Sequence, residues 1–127
     1  MGYLNREGLC SLVCIVSMGE MPEMERFFKT NLKRWNELVK IHFESEYYDL
    51  EGFRAGKSSL HSIELEELGE VSGRLLLHLQ CQFGLDTLSW ARLGAVVTGV
   101  DFSDKAIKLA KTLSKQLNIP AKFVCSN

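Results

Sequence analysis

Two features of this sequence have the types and spacing of chemistry: the stretch HLQCQFG, residues 78 to 84, and Asp101 downstream of it. An apolar run that ends in a glycine turn and passes into a helix presents backbone N–H groups to an anionic group. A carboxylate that closes the next apolar run is placed to accept both hydroxyls of a ribose. The two can meet on one ligand only if both runs are neighbouring parallel strands whose carboxyl ends open on a shared crevice.

The surrounding pattern predicts those strands. Arg74 to Leu79 is a nearly continuous apolar run, as expected of a strand buried on both faces of a parallel sheet. LDTLSWARL reads as a helix between Gly84 and Gly94, and Val96 to Val100 as a second, β-branched strand. Ser103 or Asp104 caps a further helix, whose inner stripe is Ala106, Ile107, Ala110, Leu113 and Leu117; Asn118 and Pro120 end it, and AKFVC is a third strand. Alternating strands and helices of this length form right-handed βαβ units. The predicted fold is α/β, a Rossmann-like doubly wound parallel sheet that is incomplete, with about three strands in the order 3-2-1.

Upstream, Met24, Phe28, Leu32, Trp35, Val39 and His42 recur at helical spacing, predicting an amphipathic helix over 23–43. Residues 44–60 break the period and read as a loop or short irregular helix, and Ser62 as the N-cap of a short helix ending at Gly69. The expected organisation is an apolar amino-terminal extension over 1–22, poorly ordered or packed opportunistically; a helical lead-in over 23–70; and the sheet over 71–127. The apolar run from Leu9 to Met18 is too short to cross a bilayer, and Glu7 argues against a signal peptide. The expected working start is near Met18, Met21 or Met24. With three strands in that order the first strand is left as an open edge, so the sequence reads as half a fold.

The turn itself distinguishes between ligands. A dinucleotide site wants G-x-G-x-x-G so that the backbone can approach a pyrophosphate. Here Gln80, Gln82 and Leu85 stand where those glycines fall, which disfavours a nicotinamide cofactor and leaves a nicotinamide-dependent oxidoreductase as a distant alternative. S-adenosylmethionine carries no phosphate, and its amino-acid end needs hydrogen bonds that Gln80 or Gln82 can supply.

LLLHLQCQFGLDTLSWARLGAVVTGVDFSDKAIKLAK resembles the amino-terminal half of class I S-adenosylmethionine-dependent methyltransferases, in a subgroup whose first motif reads HLQC-x-FG instead of DLGCGTG. RWNELVKIH, YYDLEGFRAGKSSL and ELEELGEVSGR are similar to that subgroup's lead-in, so the resemblance runs over about residues 30–127. It implies a cofactor-binding set of His78, Gln80, Cys81, Gln82, Gly84, Asp101, Phe102 and Asn127. In that set His78 takes the place of the usual acid, Gln80 and Gln82 replace two glycines, and Gly84 keeps the last one. Asp101 matches the ribose-binding acid, Phe102 packs on the adenine, and Asn127 falls where a residue meets the adenine amino group. The family's later strands and the loops that shape its acceptor pocket have no counterpart among these residues. No catalytic base is assigned, and the small-molecule acceptor is unknown.

Other residues have plainer readings. His78, inside an apolar strand, is expected to be a satisfied residue of the core or the cofactor edge, while His42 and His61 have no ligand-type companions. Trp35, Phe27 and Phe28 read as helix packing, Cys81 as a small buried filler, and Glu64, Glu66, Glu67 and Glu70 as a solvated face. A carboxylate at 101 has no structural duty that a serine would not serve, which favours ligand binding. The four cysteines, at 10, 14, 81 and 125, form no CxxC pair and lack zinc spacing, so no metal is expected and the thiols read as reduced, in a cytoplasmic protein. A 46% hydrophobic and 24% charged composition is that of a soluble globular chain, and a formal net charge of -1 gives no case for nucleic acid or an anionic membrane. Against the enzymatic reading stands a truncated, non-catalytic chain that folds by self-association, a homo-oligomer formed through the exposed sheet edge or the apolar amino-terminal segment.

Overall fold

In the computed structural model of the chain, the described residues are 6–126 for the backbone and 23–126 for the side chains. Nine elements follow in order: helix α1 (Arg6–Phe43), a 3-10 turn (Glu46–Tyr48), α2 (Leu50–Arg54), α3 (Ser62–Leu68), β1 (Leu75–Leu79), α4 (Leu85–Arg92), β2 (Val96–Asp101), α5 (Asp104–Leu117) and β3 (Lys122–Cys125). The chain divides into two compact units, Met1–Lys33 and Arg34–Asn127.

The first unit is described by its helix alone. The helix expected to begin after Pro22 already runs from Arg6, so Pro22 removes one N–H donor without setting a boundary. The side chains of the expected extension over 1–22, Cys10 and Cys14 included, lie outside the described residues. From Glu23 to Lys33 the helix is largely solvated. Glu25 and Lys29 pair at 2.6 Å, Arg26 lies over the Phe27 ring, and Met24 is exposed, not inward as its spacing predicts.

In the second unit, β1, β2 and β3 form a parallel sheet with β2 central. Leu75 pairs with Val96 and Leu79 with Val100, while Thr98 pairs with Lys122 and Asp101 with Cys125. This is the expected open sheet in the order 3-2-1, a Rossmann-like fold fragment behind an amino-terminal helix. α4 and α5 cover one face of it. Phe83, Leu85, Leu88, Ile107, Ala110, Leu113 and Phe123 pack there as one core, with a smaller cluster of Val71, Trp90, Ala95 and Val97 beside it.

The other face differs from expectation. β1 is not buried on both sides: Leu75, Leu77 and Leu79 are 87%, 63% and 64% exposed, and Val96 beside them 58%. An apolar run cannot by itself tell a strand covered twice from one covered once. Coverage depends on which helices lie across it, and both crossover helices lie on the side of Leu76 and Val97.

Local capping follows the sequence closely. Ser103 caps α5 by accepting from the Ala106 N–H at 3.1 Å, and Asn118 ends the helix in the left-handed conformation, at φ 53°. α3 is capped one residue earlier than Ser62: His61 is its N-cap, with its backbone N–H donated to the Glu64 carboxylate at 2.7 Å. The lead-in is tied to α4, since Ser59 donates its hydroxyl to Asp86 at 2.6 Å and its N–H to the Ser89 hydroxyl at 3.1 Å. Arg92 lies over the Phe53 ring and donates to the Phe53 carbonyl at 2.8 Å. Held between sheet and lead-in, Thr87, Leu88, Ser89 and Trp90 are all buried.

Candidate functional site

β1 ends at Leu79 and the chain turns through Gln80, Cys81, Gln82 and Phe83 into α4. Gln80, Gln82 and Gly84 adopt positive φ, at 56°, 50° and 83°. The two glutamines thus occupy the left-handed positions for which glycine is the usual residue, at a steric cost of about 1–2 kcal/mol each for a side-chain-bearing residue. Gly84 cannot be exchanged in the same way. A Cβ there would come within 2.7 Å of the Phe123 ring and 3.1 Å of the Ala110 methyl, so its absence lets α4 close onto α5 and β3.

Asp101, 6% exposed, ends β2 facing this turn. One carboxylate oxygen, Oδ2, accepts the Gln82 N–H at 2.9 Å; the other, Oδ1, accepts the Ser103 N–H at 2.8 Å. The acid therefore does have a structural duty, that of pinning the β1–α4 turn to the β2–α5 turn. A serine hydroxyl does not span both turns in this way. Each oxygen retains acceptor capacity beyond its one backbone partner.

A cavity of about 290 Å³ opens at this point, lined by Gln80, Cys81, Gln82, Asp101, Phe102 and His78 from the sheet side and by Trp35, Val39 and His42 of α1. The glutamines line the space without filling it. A second cavity of about 420 Å³ lies against the same turn, bordered by Tyr47, Tyr48, Lys57, Ser59, His61 and Asp86 of the lead-in and α4. Both fall near or within the usual range for small-molecule sites, about 300–1,000 Å³.

Seven of the eight residues singled out in the sequence are described. His78, Gln80, Cys81, Gln82, Asp101 and Phe102 line the smaller cavity; Gly84 borders the larger one. His78 is half-buried, its Nδ1 2.8 Å from the Thr87 hydroxyl, so the ring has a fixed partner on α4. Cys81 is buried in the core. Burial, and after it the Asp101 carboxylate, push its thiol up to about 12, which makes it inert as a nucleophile at neutral pH. Asn127 lies outside the described residues.

Sequence reasoning missed several of the lining groups. Trp35, whose spacing predicts helix packing, and His42, to which the sequence gives no role, both line the cavity. Asp86 borders both cavities, and its place in the first turn of a helix opening a crevice was a usable signal. Asn36, which lines neither cavity but bonds to Ser103 and Asp104 beside the crevice, had no such signal, because those partners are remote in the chain. Among the described residues, no three His, Cys, Asp or Glu side chains gather as a metal site, and no helix is long and apolar enough to cross a membrane.

The strand order and the crevice at the carboxyl ends of β1 and β2 define the class: a Rossmann-like α/β fold fragment with a crevice at the mouth of the first strand, where such sheets usually hold their ligands. Its relatives are more particular. Ubiquinone biosynthesis O-methyltransferase of Albidiferax ferrireducens is 34% identical over 77 residues, 58% of this chain and 31% of its own length, so the chain spans about a third of that curated relative. Among solved structures, a SAM-dependent methyltransferase from Agrobacterium tumefaciens is 31% identical over 51% of this chain and 22% of its own, with a TM-score of 0.44. Protein-L-isoaspartate O-methyltransferase is 25% identical over 51% of this chain and 22% of its own, with a TM-score of 0.48. No protein-family model matches the sequence.

Proposed function

We propose that this chain is the cofactor-binding part of an S-adenosylmethionine-dependent methyltransferase acting on a small molecule. The observation that carries the reading is the Asp101 carboxylate, held at the crevice by two backbone N–H groups with acceptor capacity to spare. A ribose diol can use that capacity. Phe102, next along, offers its ring to the adenine, and the turn from Gln80 into α4 lies toward the amino-acid end. The curated relative's O-methyl transfer supports the same class of chemistry.

The cofactor supplies a methyl group already activated on a sulfonium, so the protein's share is to align donor and acceptor. Here the residues' task is to bind and orient. Asp101 fixes the sugar, the turn fixes the tail, and α1 shields the crevice from water. No residue is assigned to proton transfer.

Isothermal titration with S-adenosylhomocysteine and with its 2′-deoxyribose analogue tests the reading without altering the protein. The intact ribose is expected to bind at least about tenfold more tightly, as befits a buried acceptor left unpaired by the analogue. Equal affinities, or no heat from either ligand, would remove it.

A second reading is favoured by the bare sheet face. Leu75, Leu77, Leu79 and Val96 form a contiguous exposed apolar patch beside the open edge of β1. Such edges pair with other strands. On this reading the chain self-associates through β1 and has no turnover of its own. A monomeric mass by sedimentation at micromolar concentration would count against it.

A further inference from the structure

The stretch of α1 from Trp35 to Phe43 is fastened at its two ends by different chemistry. At the carboxyl end the contacts are aromatic: Phe43 meets Phe83 edge-on at 5.7 Å, and His42 lies 5.6 Å from Tyr48, which itself packs on Phe83 at 5.1 Å. At the amino end they are polar. The Ser103 hydroxyl donates to Asn36 Oδ1 at 2.5 Å, and Asn36 Nδ2 donates to Asp104 Oδ1 at 2.8 Å. Between the two ends, Trp35, Val39 and His42 recur on one face and line the crevice that holds Asp101.

Ser103 joins the two sites. Its N–H is donated to the Asp101 carboxylate, while its hydroxyl accepts the Ala106 N–H and donates to Asn36. The group that would bind a ribose and the group that fastens α1 are thus separated by one residue. Aromatic packing in a core opens rarely, whereas a half-exposed amide competes with water for both its partners.

We propose that Asn36 is a positioning residue: a latch that holds the Trp35–His42 stretch over the crevice and slows the escape of whatever the crevice binds. The consequence for the cofactor rests on the methyltransferase reading above; the latch itself does not.

Two measurements separate them. Hydrogen exchange is followed over residues 35–43 and, as an internal reference, over β2 and the carboxyl-terminal half of α5. Asn36→Ala is expected to speed exchange in 35–43 by about tenfold, the change that loss of two hydrogen bonds produces, with the reference segments unchanged. Combining Asn36→Asp with Asp104→Asn exchanges amide and carboxylate, keeps a donor facing an acceptor, and is expected to restore protection. Unchanged exchange in Asn36→Ala, or no recovery in the double variant, overturns the latch. Stopped-flow release of S-adenosylhomocysteine is expected to quicken about tenfold in Asn36→Ala and to return in the double variant. If the unaltered protein binds no S-adenosylhomocysteine, the methyltransferase reading fails while the exchange data still decide the latch. If binding occurs and release is the same in every variant, the gating role is overturned.

Discussion

Asp101 and Gln82, on different turns, are joined by a 2.9 Å hydrogen bond from the Gln82 backbone N–H to the Asp101 carboxylate. With the matching bond from Ser103, it sets the width of the crevice mouth between β1 and β2. The residue proposed to grip a sugar is therefore also one that shapes the crevice.

Removing that carboxylate strands two N–H groups at once. An orphaned buried donor costs about 1–3 kcal/mol; with the Ser103 N–H buried and the Gln82 N–H only partly so, Asp101→Ala is expected to lower the unfolding free energy by about 2–4 kcal/mol in urea titration, short of the sum for two fully buried donors. A loss below about 0.5 kcal/mol would mean that water replaces the carboxylate freely.

Gly84→Ala meets both a left-handed backbone and the Phe123 ring. The expected cost is about 2 kcal/mol or more, from αL strain together with overpacking. Adding Phe123→Leu should recover part of it, because the ring atoms nearest the new methyl are then gone. If Gly84→Ala costs as much in a Phe123→Leu background as in the native chain, the cost lies in the backbone alone.

At Gln80 the opposite sign is expected. Its φ of 56° is strained for any side chain, and the residue is exposed, so Gln80→Gly should raise stability by about 0.5–1 kcal/mol despite the greater freedom of an unfolded glycine. If the melting temperature falls instead, the glutamine side chain is contributing an interaction that outweighs the strain.

Cys81 makes a prediction in alkali. Its folded pKa, about 12, lies above its ordinary value of 9.0, so the unfolded chain loses this proton first as pH rises. The stabilisation is complete below about pH 9 and is lost progressively between 9 and 12. Cys81→Ala should flatten the fall in stability across that window, and in the native protein iodoacetamide at pH 8 should label exposed Cys125 well before Cys81. Equal labelling of both would contradict the packing around the turn.

Leu77 sits at the centre of the bare face, paired with Thr98. If that face and the β1 edge drive association, Leu77→Lys should shift the sedimenting species to monomer while leaving the far-ultraviolet circular dichroism unchanged. Association that persists would move the contact elsewhere.

Much of this protein was legible as pattern. Apolar and β-branched runs and a period of three to four, with glycines and a serine cap as punctuation, define β1 to β3, α4 and α5 to within a residue or two, because each depends on neighbours close in the chain. Asp101 was legible too, as an acid closing a strand. Which face of LLLHL is covered was not: that is decided by where both crossover helices lie, and the run looks the same either way. Nor could the sequence show that Gln80 and Gln82 bear positive φ without closing the crevice, that Asp101 pins two turns, or that Asn36 reaches Ser103. Local propensity is written residue by residue, whereas a hydrogen bond across most of the chain exists only once packing has brought its ends together.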